Sequence, residues 1–257
     1  MDDLLTQIVG VLLHAGAVTL QAVAQDGMRV RASAGAASFR RQETLEACLA
    51  EAKAHVERLA NEREQPDPDV TRRQRAARER AARERLERVE HALAALPQAQ
   101  AAKERQQRTL ATGKREKVTA PRVSTTDPTA RVMKMPDGGF RPAYNVELAT
   151  LKAPGKLHGV LVGVGVTNEG TDAGEAAPLE EQVHRRTSQH PTQYLIDGGF
   201  AAREGITTLE QRGVTVYAPV RLPRNQPEAE RYAPRAGESP EVVEWRQRMA
   251  TDEAKAI

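Results

Sequence analysis

The sequence predicts a mixed α/β fold interrupted by a long helical insertion. Three observations carry this. Val160, Val162, Val164 and Val166 alternate strictly, as a strand with one buried face does. The short apolar runs Tyr194–Ile196 and Val214–Ala218 alternate with helical periods, the order expected of α/β chains. Leu45, Leu49, Ala52, Val56 and Leu59 step by 4, 3, 4 and 3, and Leu86, Val89, Leu93 and Leu96 by 3, 4 and 3, a coiled-coil-like seam.

Each element follows in turn. Leu4, Leu5, Ile8, Val9, Leu12 and Leu13 recur at helical spacing, and Gly16 suits a stop. Residues 18–24 and 28–32 alternate partly with period two, with Asp26-Gly27 between them. That pattern fits a hairpin with an Asp-Gly turn or one long strand carrying an acid. A helix over 40–64 ends at Pro66-Asp67-Pro68-Asp69, and a second runs from about Val70 to Leu96. Two such helices joined by a short turn pack as an antiparallel hairpin. Gln98–Leu110 forms a third helix, and 112–136 reads as a basic extended linker. Phe140–Thr150 is a strand, which Pro142 restricts to an edge or to its first residues. Asp172 and Glu175 have capping-box spacing before a helix bearing Ala176, Leu179 and Val183. A helix over 201–212 closes at Gly213. Arg221–Glu238 is a Pro-rich polar loop, after which Ser239-Pro240 opens a last helix with Val242, Trp245 and Met249 on one face.

Composition bounds the function. The chain has 257 residues, 39% of them hydrophobic, enough to bury a core, but only 3% aromatic. Net charge is +3 overall. Residues 1–70 carry 7 basic and 11 acidic side chains, 71–135 carry 17 and 7, and 136–257 carry 14 and 17. The basic middle points first to a polyanion. Within it, residues 71–90 hold 8 Arg and 4 Glu, which also fits a merely solvated helix face. The single Cys48 excludes a disulfide framework and multi-thiolate metal sites. The six histidines lack zinc spacing, and Gly163-x-Gly165 lacks the rest of a dinucleotide fingerprint. No apolar run reaches the length of a membrane span, and the Met1-Asp2-Asp3 start is unlike a secretory signal. A cytoplasmic protein without membrane association is expected.

Two acids stand out. Asp197, in Asp197-Gly198-Gly199-Phe200, follows an apolar strand, where a carboxylate can face a cleft. A plain turn with a self-bonded Asp fits that spacing too. Asp26 is a turn residue if the hairpin forms, or a metal-binding carboxylate on a central strand if it does not.

Several segments together resemble bacterial insertion-sequence transposases of the DDE type. They are Gln25–Gly35, Ala130–Met135, Gly138–Val146, Val166-Thr167-Asn168 and Tyr194–Phe200. The resemblance spans nearly the whole chain. It implies a ribonuclease H-like core in which three carboxylates hold two Mg²⁺ (or Mn²⁺) ions for DNA strand cleavage and transfer. Asp26 becomes the first acid and Asp197 the second, both catalytic and metal-binding. The third acid of such transposases, a Glu, would lie beyond the segment matching 251–257, and their N-terminal DNA-binding region is nearly missing before Asp26. Glu244 and Glu253 are the nearest alternatives, and neither matches the motif. The expectation is a truncated chain of weak or no activity. Its organisation would be an N-terminal helix and first catalytic strand over 1–37, a helical insertion over 38–111, a basic linker over 112–138, and the rest of the core over 139–257. Double-stranded DNA, at transposon ends and target, is the implied partner, with homo-oligomerisation in intact members. Arg72, Arg73, Arg75, Arg78, Lys114, Arg115 and Lys117 are the candidate DNA-binding residues. The competing expectation is a non-enzymatic DNA-binding or oligomerising protein acting through the Arg-rich hairpin.

Overall fold

Asp26-Gly27 does not turn the chain. In the computed structural model it lies inside a single ten-residue strand, β1 (Ala22–Arg31), so the hairpin alternative is excluded. The structure describes residues 2–62, 70–109, 119–152, 159–222, 227 and 230–257. Within them the fold is mixed α/β, in two compact units: residues 1–29 with 145–257, and residues 30–144.

The first unit is built on a mixed sheet. Its strands are β1, β5 (Phe140–Lys152, which begins in the other unit), β6 (Gly159–Thr167), β7 (Gln193–Ile196) and β8 (Thr215–Tyr217). Their spatial order is β6-β5-β1-β7-β8. β5 and β6 pair antiparallel with a bulge at Ala149/Thr150, whereas β1 with β7, and β7 with β8, pair parallel. Parallel pairs need crossovers, and helices supply them. α5 (Ala176–Thr187) leads into β7, and α6 (Arg203–Gln211) connects β7 to β8. α1 (Asp2–His14), α7 (Pro240–Ala250) and α8 (Asp252–Lys255) complete the unit.

Alternation along the strands sorts the faces. Val23, Ala149, Leu151, Val162, Tyr194, Ile196 and Val216 turn inward, onto Val9, Leu179, Val183, Ile206, Leu209 and Trp245 of the helices. Burying side chains of this size contributes roughly 1.5–3 kcal/mol each. Asp26 and Met28, at the alternate positions of β1, are exposed. The sequence signals for helix ends hold in part. Gly16 and Gly213 have positive φ (66° and 80°) at their helix ends, and Ser239 Oγ accepts from the Val242 amide with Pro240 in the first turn. The capping box expected from Asp172 and Glu175 does not form: Glu175 is the N-cap of α5 and makes no side-chain cap bond.

The second unit is mainly helical. α2 (Gln42–Asn61) and α3 (Arg72–Ala94) pack together, with Leu45, Ala52, Leu59 and Val89 of the expected seam buried, Leu49, Val56, Leu86 and Leu93 half-buried, and Ala82 and Ala92 buried beside them. Arg85 pairs with Glu51, while Val56, Leu59 and Ala60 face Glu79, Ala82 and Arg83, so the helices run antiparallel. Thr71 closes a full capping box with Gln74 at the start of α3. α4 (Leu96–Thr109) follows. The stretch 112–138, expected to be a linker, carries two short strands in its described part. β3 (Val123–Ser124) pairs with β2 (Phe39–Arg40), and β4 (Arg131–Lys134) with the start of β5. Backbone pairing to distant strands overrides the missing local period. The expected break at 66–69 lies outside the described residues, as do Lys114, Arg115 and Lys117.

Candidate functional site

The parallel register of β1 and β7 decides where the two candidate acids sit. Ala22 faces Gln193, and the pairing continues to Gln25 opposite Ile196. The next residues are Asp26, still within β1, and Asp197, just past the end of β7. Each thus follows the last paired position on one of two adjacent strands. Both are exposed. β-Alternation puts Asp26 on the face opposite the buried Gln25, while Asp197 lies in the turn that follows β7. The structure thus brings together two acids 171 positions apart in sequence.

The turn after Asp197 is tight. The Gly199 amide donates to Asp197 Oδ1. A Cβ at Gly199 would lie 2.6 Å from that oxygen and 3.4 Å from Asp172 Oδ2. The carboxylates of Asp172 and Asp197 therefore flank the same point. A Cβ at Gly198 would meet Arg221 Nε at 3.3 Å, so that guanidinium lies against the turn.

Asp172 is the residue that sequence reasoning misplaced. Its expected role was to cap α5. Instead its Oδ1 accepts from Asn145 Nδ2 at 2.8 Å and pairs with Arg29 Nη2 at 3.1 Å. Arg29 Nη2 also reaches Gly170 O at 3.3 Å. The spacing Asp172-x-x-Glu175 suggested a cap because local spacing cannot see β1 and β5.

Glu147 is the second residue missed. It is 1% exposed and stands on the inner face of β5 opposite Gly165. A Cβ at Gly27 would come within 2.8 Å of its Oε2, so glycine is what lets the carboxyl lie over β1. Neither Glu147 oxygen is in good hydrogen-bond geometry with a donor; the side chain of Gln25 is its hydrogen-bonding neighbour. Burial raises its pKa to about 7; Asp172 and Glu175 add to the rise, while Gln25 and Arg29 oppose it. The pKa of Glu175 is also raised, by burial and by the nearby charges of Glu169 and Asp172. Further buried atoms without partners are Asn145 Oδ1, Thr167 Oγ1 and Arg29 Nη1. Gln25 is satisfied: it donates to Glu175 O at 3.4 Å and accepts from Tyr194 Oη at 2.8 Å.

These donors are hard oxygens, the class that suits Mg²⁺ or Mn²⁺. Among the described residues, no three His, Cys, Asp or Glu side chains are already gathered as a metal-holding set. Glu244 and Glu253 are exposed on α7 and α8. Gly163 and Gly165 lie within β6, packed against Ala149 and Glu147, and form no phosphate-binding loop. His184 and His190 straddle the end of α5 as expected and stack at 3.8 Å, with His190 Nδ1 2.7 Å from the buried Glu180.

Of the candidate DNA-binding residues, Arg72, Arg73 and Arg78 are exposed on α3, and Arg75 is half-buried with a 3.4 Å bond to Val70 O. No acidic residue occupies the first turn of that helix. Among the described residues no helix is long and apolar enough to cross a membrane. No family model, curated protein or solved structure matches the chain.

Proposed function

We propose that the chain is a DDE-type transposase protein with a ribonuclease H-like core, made for metal-dependent DNA strand cleavage and transfer. The observation that carries this reading is the register of β1 and β7, whose last pair, Gln25 opposite Ile196, immediately precedes Asp26 and Asp197. A resemblance drawn from short segments requires two distant acids to converge on adjacent strands, and that convergence supports it. The mixed sheet with β1 at its centre supports it further. Asp26 and Asp197 would hold the divalent ions. When bound, such ions sharpen a water or 3′-hydroxyl as nucleophile and stabilise the leaving oxygen of a phosphodiester. The residues themselves position. The Gly199 amide fixes the Asp197 carboxylate, and the missing side chain of Gly199 leaves room for the carboxylate oxygens of Asp197 and Asp172. Arg221 beside the turn offers a cation for phosphate.

The test is nicking of supercoiled DNA by the purified chain with Mn²⁺ or Mg²⁺. Weak, metal-dependent nicking that disappears in both Asp26→Asn and Asp197→Asn is the expected result. Nicking that persists in both variants overturns the assignment of the acids.

A second reading, a DNA-binding or oligomerising protein that does no chemistry, is favoured by one observation. Arg72 and Arg73 open α3, the end where the helix dipole disfavours cations, so their placement is not explained by helix stability. A salt-sensitive gel shift that survives the Asp variants but collapses when Arg72, Arg73, Arg75 and Arg78 become Gln fits both readings. Metal-dependent nicking that is lost in both Asp variants selects the first. Each arginine that neutralises a phosphate should, once replaced by Gln, lower the log–log salt slope by about 0.9.

A further inference from the structure

We propose that the outer edge of β6 is a surface on which a second copy of this chain can add its own β6, and that Gln182 and Arg186 hold it shut. The inference is independent of the reading of Asp26 and Asp197. It rests on which side chains occupy the backbone groups of the two outermost strands of the sheet.

Among the described residues β6 pairs with β5 alone, so its other edge is free of strands. Its residues, Gly159–Thr167, include no charged side chain and no proline, and Val166 is 61% exposed. An uncharged, valine-rich strand with a free edge is a template for a further strand, and such strands usually carry a charge or a proline that blunts them. Here the blunting comes from α5. Gln182 Oε1 accepts from the Val164 amide at 2.7 Å, and Gln182 Nε2 donates to the Val164 carbonyl at 3.0 Å. One side-chain amide thus makes the pair of bonds that a residue of a neighbouring antiparallel strand would make. Arg186 Nη1 donates to the Val162 carbonyl further along the same edge. Gly163 permits the approach, because a Cβ there would come within 3.3 Å of Gln182 Oε1 and 3.1 Å of Leu179 Cδ1.

The plug is itself clamped. The Arg186 side chain is 3% exposed; its Nε donates to Thr6 Oγ1 at 3.1 Å and its Nη2 pairs with Asp2, so α1 holds it over the edge. The opposite edge of the sheet is closed in the same way by different residues. Glu210 Oε1 accepts from the Val216 amide of β8 at 2.9 Å, and Arg248 Nη2 donates to the Val216 carbonyl at 3.1 Å while pairing with that Glu210. Anchoring a helix does not require its bonds to fall on the outward groups of an edge strand, still less on both edges. The occupant kept from β6 is another β6. Two copies of an uncharged strand meet without repulsion, and antiparallel pairing sets their valines against one another. β8, three residues long, offers no comparable run.

The experiment is sedimentation equilibrium of the full chain over a range of concentrations. Gln182→Met keeps the length of the side chain and removes both bonds to Val164. It should lower the concentration at which the chain self-associates by about tenfold or more, the equivalent of one or two backbone hydrogen bonds. Adding Val164→Pro should reverse the effect. It deletes the outward amide, whose bond in the folded chain goes to Gln182 and not to β5, and proline is tolerated at such a position of an edge strand. Arg186→Met frees the Val162 carbonyl and should act in the same direction as Gln182→Met, which covers the case in which the latter does not fold. Hydrogen exchange locates the contact: the Val166 amide, outward like that of Val164 by alternation, should slow as Gln182→Met associates. Association that Val164→Pro leaves unchanged places the contact elsewhere and overturns the proposal. So does a folded Gln182→Met, or in its place a folded Arg186→Met, that associates no more strongly than the unaltered chain.

Discussion

The sheet unit and the helical unit handle charge in opposite ways. Among the described residues, the buried charged side chains Glu147, Glu180 and Arg246 all belong to the sheet unit. Glu180 is met there by Arg212 and His190, and Arg246 by Glu238, so those burials are compensated. Glu147 is not, and neither is Asn145 Oδ1. In the helical unit the Arg and Glu side chains of α3 project outward, and its interior is Leu, Ala and Val. The contrast teaches where to look for chemistry. Exposed ion pairs such as Arg85–Glu51 contribute about 0–1 kcal/mol and say little. An uncompensated carboxyl in the interior costs several times more, so its persistence asks for a purpose.

The largest effects should come from the two cores, whose apolar clusters are separate. Leu209 is fully buried in the first and Leu45 in the second. Each Leu→Ala change should cost about 2–5 kcal/mol. Hydrogen exchange distinguishes them: Leu45→Ala should speed exchange in α2 and α3 and leave β1 and β7 protected, and Leu209→Ala should do the reverse. Uniform loss of protection in either variant would dissolve the two-unit description.

Glu147 sharpens the contrast through pH. Its folded-state pKa of about 7 lies above the ordinary 4.5, so the native chain holds a proton that the unfolded chain releases earlier. The stability due to the neutral acid is complete below pH 4.5 and drains away as pH rises through 7. The loss between pH 5 and pH 8 should be on the order of 2 kcal/mol. Glu147→Gln should flatten that part of the urea-midpoint profile. An unchanged slope in the variant would mean that another group titrates.

Much of this architecture was legible in the sequence. The alternating valines of β6, the seams of α2 and α3, and the cap at Ser239 are local patterns that the fold keeps. The candidate acids were legible as motifs, but their adjacency was not, because register between distant strands has no local trace. Asp26-Gly27 shows the limit: the same dipeptide makes a hairpin turn or sits mid-strand, and only pairing with β7 and β5 decides. Asp172 shows it again, since capping-box spacing is satisfied on paper while Asn145 and Arg29 claim the side chain. Glu147 left no signal, because an acid in an apolar strand reads as an exposed position until its neighbours, Gly27 and Gly165, are known.

The smallest effect tests the helical unit at its most conventional point. Thr71 Oγ1 accepts from the Gln74 amide at 3.2 Å, and Gln74 Oε1 accepts from the Thr71 amide at 3.0 Å. Thr71→Ala removes the first of these and should cost about 1 kcal/mol. The loss should concentrate in the first turns of α3, where Arg72, Arg73 and Arg75 crowd the positive end of the helix dipole. Those arginines amplify the effect at low salt, because their mutual repulsion is then least screened. Measured by thermal melts at low and at physiological salt, the cost of Thr71→Ala should shrink as salt rises. A cost independent of salt would mean that the arginines do not load this helix end. Their placement would then need no anionic partner, which weakens the DNA-binding reading of α3 while leaving the acids of the sheet unit untouched.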